Sequence, residues 1–332
     1  MVRCQYAGYD RDKAVVNMKL LSEGRNADIL NRCITCSACR EYCLIGADPF
    51  NLIINAIEKA GLFSKTEEEL VARSFGFPSA TVTGDPNKPA LSLCTMVDRL
   101  PEGALEGQLF QGMTMVKGGD YYCLIGWEHY GHEAMIAKYA RRFVDNLASL
   151  DKDLIFLHDD CYSMIHVKAK EYGITVPFKY MHILEYLRNY LRDHQASITW
   201  LNKAVAYQRP CASRYTPEKD VLVDEIFKLI GITRPTRKYE RESALCCTAP
   251  LTRIKRDVDA GEILERNVRD AVDYGADALI TLCPVCNIVL EPVTRHYSLT
   301  KIFITDLCRM ALGEKAWPVS DRQSQSRDKD KT

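Results

Sequence analysis

Apolar residues recur at helical spacing in FNLIINAIEKAG, residues 50–61, where Leu52, Ile53 and Ile57 share one face. Asp48 and Pro49 precede the run as N-cap and first-turn proline, and Gly61 closes it. TEEELVARSF, ending at Phe75, predicts a second helix. VTGDPNKPA, residues 82–90, is dense in turn formers and reads as a linker.

Beyond it the pattern changes to buried strands alternating with helices. KAVAY (203–207) predicts a short strand ahead of Cys211, and ADALITL (276–282) a buried strand ending at Cys283. EKDVLVDEIFKLIG predicts a helix with Val221, Ile226 and Leu229 inward and Gly231 as its stop, and GEILERNVRDAVDYG predicts another. Each cysteine of this half therefore sits just past a strand end, where open α/β sheets place ligands. The preceding segment repeats the plan: helix HEAMIAKYARRFVDNL, strand DLIFLH, then DDCYSMI and YMHILEYLRNYL. In register, Cys161 falls opposite Cys286 and His158 opposite Cys283. Cys123 stands where a Cys246–Cys247 pair would, and Cys94 matches Cys211.

The chain has 332 residues, 47% hydrophobic and 27% charged, enough for two or three compact units. Lysine plus arginine equals aspartate plus glutamate at 44 each, which gives no electrostatic reason to expect nucleic acid and suits docking inside a protein complex. The opening MVRCQYAGYDRDK lacks a signal-peptide core, and no run is long and apolar enough for a membrane span. A cytoplasmic location is expected, with membrane association only through a partner subunit. SDRQSQSRDKDKT at the end reads as a disordered tail.

The 14 cysteines carry the chemistry. Without a secretory signal, a chain of this size is a poor candidate for disulfides and a good one for metal or redox work. Cys33, Cys36, Cys39 and Cys43 follow C-x2-C-x2-C-x3-C, the form that wraps a loop around a cubane [4Fe–4S] cluster. Zinc knuckles have two pairs separated by a long insert. Leu44 stands where a proline commonly follows, and no second such run exists, so Cys43 most simply completes its own cube, with Cys94 in reserve. Downstream, 34 residues separate Cys211 from Cys246, and 35 separate Cys247 from Cys283, with Cys286 after two more. Vicinal cysteines are strained as a disulfide, whereas five thiolates from three loops can bridge irons of an enlarged, irregular cluster.

AYQRPCASRY, ALCCTAP and ITLCPVCNIVL resemble the cysteine-rich CCG domain of heterodisulfide reductases and of the iron–sulfur subunits of glycolate, lactate and glycerol-3-phosphate dehydrogenases. The resemblance implies that Cys211, Cys246, Cys247, Cys283 and Cys286 hold a noncubane [4Fe–4S] cluster. It departs at Thr248, where the family has glycine, and in the loop TAPLTR. The first repeat resembles the leading half of a two-repeat protein of this kind. Its Cys94, Cys123 and Cys161 are either a decayed site packed as small hydrophobes or a second cluster or catalytic thiol near the first, and His158 is either a ligand in place of a cysteine or a hydrogen-bonded residue at a strand end. His182, with Glu185 three residues on, is a candidate proton donor near a reducing disulfide or a helix-start residue bonded to backbone. Cys4 and Cys308 lack cluster spacing, and Cys308 reads as helix core. Tyr121, Tyr122, Trp127 and Tyr130 read as packing around the first repeat, with a flavin or quinone box as the other option.

No nucleotide-binding fingerprint or haem-attachment motif is present in the sequence. Electrons must therefore come from a partner: a flavin-containing or iron–sulfur subunit, or a quinone-linked membrane module. The expected fold is α/β. A small helical, ferredoxin-like cluster domain (26–88) follows an N-terminal arm (1–25). Two pseudo-repeated CCG-type units come next, the first degenerate (89–197) and the second cluster-bearing (198–318), with the tail at 319–332. The expected function is that of an iron–sulfur oxidoreductase subunit of an anaerobic, heterodisulfide-reductase-like complex. It would pass electrons between the two clusters and reduce a disulfide or similar substrate, or else act as a pure relay.

Overall fold

A computed structural model describes residues 1–43, 45–63, 65–252 and 258–318, with the side chain of Thr252 left aside. Leu44, Arg253 of the TAPLTR loop and the expected tail lie outside the described residues. The first part, to residue 79, is helical. Helix Pro49–Lys59 starts as expected, with the Asp48 carboxylate accepting the Asn51 N–H at 3.0 Å. It buries Phe50, Ile53, Ile54 and Ile57, an i, i+3, i+4, i+7 stripe, while Leu52 is only half-buried. Helix Glu67–Phe75 opens with a capping box between Thr66 and Glu69. The N-terminal helix Arg11–Ser22 packs its Ala14 and Leu21 into the same apolar cluster as the Pro49–Lys59 stripe.

Two mostly parallel sheets follow. Strands β1 (Ala80–Val82), β2 (Ala90–Ser92), β3 (Thr114–Lys117), β4 (Leu154–Phe156) and β5 (Tyr180–His182) lie in the order β1-β3-β2-β4-β5. Only β1 is antiparallel, against β3. The expected linker thus begins inside an edge strand, and its polar part, from Thr83 to Pro89, is the loop between β1 and β2. Strands β6 (Lys203–Gln208), β7 (Ile232–Thr233), β8 (Ala278–Thr281) and β9 (Thr300–Phe303) form a second sheet, β7-β6-β8-β9, parallel throughout. Set side by side, β3-β2-β4-β5 and β7-β6-β8-β9 have the same order and direction.

One apolar cluster joins the sheets. It holds Leu91 and Ile155 from one, Val205 and Ile280 from the other, and the faces of helices Ile183–Asp193, Asp220–Leu229 and Ile304–Ala311 between them. The expected inward face of Asp220–Leu229 is corrected here. Val221 is 55% exposed, and the buried stripe is Val223, Ile226, Phe227 and Ile230. The helix begins at Asp220, so Val221 stands in its first turn on the outer face. Cys308 is fully buried in this shared core.

Candidate metal centres

The sheets are aligned so that their strand ends converge on one cavity. Cys94 and His158 each lie two residues past the ends of β2 and β4; Cys211 and Cys283 lie three and two past β6 and β8. Between them is a space of about 410 Å³ lined by Cys211, Cys247, Cys283 and Cys286 from the second half and by His129 and His158 from the first. None of the 14 cysteines is paired in a disulfide.

Five of the six cysteines of the second half, all but Cys308, form one continuous set of neighbouring sulfurs. Cys211 meets Cys246, Cys246 meets Cys247, Cys247 meets Cys286, and Cys286 meets Cys283. The contact from Cys246, then that from Cys286, brings the Cys247 thiol down to about 6 against the opposing effect of burial. Cys283 falls to about 5, by its contact with Cys286 and then by His158, whose Nε2 stands 3.7 Å from its sulfur. These two sulfurs favour the thiolate that metal binding requires. The Thr248 N–H donates to Cys246 Sγ at 3.3 Å. To do so Thr248 takes φ 60°, a left-handed conformation that costs a β-branched residue steric strain and costs glycine none. That explains why a glycine suits the position after the pair.

The first centre lies directly against this one. Cys33 Sγ accepts the Thr35 N–H at 3.3 Å, with Thr35 and Ser37 both at positive φ as the loop winds past its cysteines. Burial pushes Cys36 up to about 11, opposed by Arg214. Cys36 packs in the same apolar cluster as Cys246, with Tyr6, whose hydroxyl oxygen accepts the Cys246 N–H at 2.8 Å. His129 spans the two centres. Its Nδ1 is 2.8 Å from the Thr35 carbonyl oxygen and its Nε2 3.7 Å from Cys211 Sγ. Because a carbonyl only accepts, Nδ1 carries the proton. Burial alone would lower His129, but the Cys211 thiol outweighs it and the group rises to about 9. Glu41, between Cys39 and Cys43, receives Arg209 on both oxygens at 2.9 Å and Arg214 at 2.7 Å, which ties the cluster loop to the Cys211 turn.

In the first half, Cys94 and Cys123 from two loops and Cys161 from the short helix Asp159–Ser163 come together. Their sulfurs lie within 4.8 Å of one another, with Cys123 and Cys161 3.6 Å apart, and all three are buried. His158 is not part of this triangle. It faces Cys283 across the cavity, with its Nδ1 3.6 Å from the Asp160 carboxylate.

His182 lies at the end of β5 and caps helix Ile183–Asp193, its Nδ1 accepting the Leu184 N–H at 3.2 Å. Its Nε2 points to Asp159, 3.4 Å away. Burial, followed by the nearby Lys219 ammonium, holds it down at about 4. Trp127 and Tyr130 are buried and, with Tyr122, line the cavity; the Trp127 indole N–H donates to Ser74 Oγ at 2.8 Å. Tyr121 joins the same packing cluster from the edge. No local signal in the sequence singles out His129, Tyr6 or Glu41, because each meets a partner far away along the chain: Cys211, Cys246, and Arg209 with Arg214.

Two buried groups of cysteines at convergent strand ends, one spanning a vicinal pair, define a metal-binding, redox-type protein. A family model, the CCG cysteine-rich domain, matches residues 205–291, which contain Cys211, Cys246, Cys247, Cys283 and Cys286. That stretch is therefore similar to a CCG cysteine-rich domain, which supports a metal-binding, redox-type role for it. No curated protein sequence matches the chain. Among solved structures, a hypothetical protein from Helicobacter pylori is similar at 14% identity and a TM-score of 0.55; the match covers 90% of this chain and 64% of that one. At that identity the likeness concerns the fold alone, and the chain spans less than two thirds of that protein's length. An aspartate racemase from Picrophilus torridus aligns at 10% identity and a TM-score of 0.31, over 68% of this chain and 94% of that one, and carries no weight. No helix among the described residues is long and apolar enough to cross a membrane.

Proposed function

We propose that this chain is the iron–sulfur subunit of a heterodisulfide-reductase-like redox complex, in which a small substrate reacts at the five-cysteine centre. The observation that carries the reading is the cavity. Four of the five cysteines line a space large enough for a small molecule, so a substrate can reach this centre rather than only pass electrons through it. Cys33, Cys36, Cys39 and a fourth cysteine would hold a cubane [4Fe–4S] cluster. Cys211, Cys246, Cys247, Cys283 and Cys286 would hold a noncubane one. The donor sets fit: buried or half-buried thiols, backbone N–H groups aimed at sulfur, and two cysteines already drawn toward the thiolate.

Bound clusters would supply electrons one at a time, two per disulfide, and the two thiols formed would take up two protons. Those electrons would enter from a flavin-containing or iron–sulfur partner, or from a quinone-linked membrane module. The packing of Cys36 against Cys246 gives them a short path between centres. His158 and His129, each beside a cysteine sulfur at the cavity wall, are better placed to hand over protons than His182, which is committed to its cap and to Asp159. The matching strand orders of the two sheets support descent of both halves from one repeated unit, the first having exchanged its Cys283 and vicinal-pair positions for His158 and Cys123.

The Cys94–Cys123–Cys161 triangle supports a different occupant. Tetrahedral thiolates about 2.3 Å from one ion lie about 3.8 Å apart, close to the spacing here, so the triangle suits one thiophilic ion such as zinc rather than a cluster. The test is anaerobic metal and sulfide analysis of the wild type and Cys247→Ser. About eight irons per chain are expected, four per cluster, with about four lost in the variant. Zinc without iron would defeat the reading. About twelve irons would place a third cluster in the triangle.

A further inference from the structure

We propose that Cys4, on the N-terminal arm, supplies the fourth thiolate of the first centre beside Cys33, Cys36 and Cys39, and that Cys43 is not a ligand. The inference rests on the cubane assignment above and concerns which residue completes it.

Three cysteines two residues apart wind around three corners of a cube and leave the fourth to a residue reaching in from elsewhere. In two-cluster ferredoxins the fourth cysteine of such a run serves the other cluster, so this spacing does not oblige Cys43 to complete its own cube. The arm is fastened where it could fill that place. Ala7 and Tyr9 are buried, the Tyr9 hydroxyl donates to Asp28 at 2.8 Å, and Tyr6 holds the Cys246 N–H. Cys4 packs against the same apolar patch as Cys33 and Cys39. Its sulfur accepts the Ala7 N–H at 3.4 Å, matching the Thr35 N–H on Cys33 and the Thr248 N–H on Cys246. Backbone N–H groups on sulfur are what a partly buried thiolate needs in place of water.

Cys43 is placed differently. It lies beyond the short helix Ala38–Glu41, outside that apolar patch, and among the described residues its sulfur makes no hydrogen bond. The 28 residues between Cys4 and Cys33 conceal the grouping from any local spacing rule. On binding, the Cys4 thiol gives its proton to solvent and its sulfur to iron.

The experiment compares wild type, Cys4→Ser, Cys43→Ser and Cys36→Ser after anaerobic reconstitution with ferrous iron and sulfide. Iron per chain and the electron paramagnetic resonance spectra are read in parallel. Cys43→Ser should match the wild type. Cys4→Ser should lose the cubane signal as Cys36→Ser does, or convert it to a three-iron signal, while keeping the noncubane one, which also reports that the variant is folded. Retention of the cubane in Cys4→Ser, or its loss in Cys43→Ser, overturns the inference and leaves the cubane assignment standing. A wild type whose cubane signal is absent, or is unchanged by Cys36→Ser, overturns both. If Cys4→Ser loses both signals, its far-ultraviolet dichroism decides: a folded spectrum overturns the selective role. An unfolded one passes the decision to Cys4→Asp, whose carboxylate should restore a cubane signal with altered g-values and, if it does not, overturns the inference.

Discussion

A threonine at φ 60° is strained, and Thr248 is held there by the turn that points its N–H at Cys246. Glycine pays no such steric cost, although it loses more backbone entropy on folding. Thr248→Gly is therefore expected to stabilise the protein by about 1 kcal/mol, while Thr248→Ala, which keeps a Cβ, gains less. Thermal unfolding of the anaerobically prepared protein checks this, and a lower midpoint for the glycine variant would show that the threonine side chain contributes packing greater than its strain. The same scale separates cysteines by their surroundings. Burial alone pushes Cys308 up to about 12, so it stays a neutral packing thiol, whereas Cys283 beside Cys286 and His158 falls to about 5.

Between elements, the cluster loop and the Cys211 turn are joined through Glu41. Arg209 and Arg214, with side chains 2% and 4% exposed, both bind its carboxylate. Removing one partner of a buried ion pair leaves charge without compensation, which costs about 3 kcal/mol or more. Glu41→Gln leaves two guanidinium groups facing a neutral amide. It should lower the urea midpoint correspondingly and reduce iron loading at both centres, since the loops it joins carry cysteines of each. Normal loading in a fully stable variant would mean that the joint plays no part in assembling the centres. Across the cavity, Ser213 donates to Asp159 at 2.9 Å and Lys219 pairs with the same carboxylate, stitching β4's turn to the Cys211 turn. The element carrying His158 is thereby fixed opposite the element carrying Cys283.

For the whole molecule, the helical part and the two sheets meet around the cysteines, and the proposed centres share an apolar cluster through Cys36 and Cys246. Cys36→Ser should therefore remove the cubane signal and about four irons. The five-cysteine centre should keep its iron and lose only the magnetic broadening caused by its neighbour. Paramagnetic resonance at matched potentials reads both effects. Disappearance of both signals from a folded protein would show that the centres are not held separately.

The sequence by itself determined the local units. Periodicity and caps located the helices beginning at Pro49 and Glu67, and the apolar runs located β4, β6 and β8, because these depend on residues a few positions apart. Spacing selected eight of the nine proposed cluster cysteines, all but Cys4, and the residues around Cys211, Cys246, Cys247, Cys283 and Cys286 carried the resemblance to a CCG-type unit. The inward face of Asp220–Leu229 was misread at Val221, since a stripe shifts with the helix start and one residue turns it by 100°. Only the tertiary structure decided which residues meet. It brought Cys94, Cys123 and Cys161 into one triangle, set His129 between Thr35 and Cys211, and packed Cys36 against Cys246. It also carried Cys4 to the first centre. Such contacts follow from how parallel sheets and an anchored arm pack in space, and sulfur chemistry depends on distances of a few ångströms that no spacing along the chain encodes.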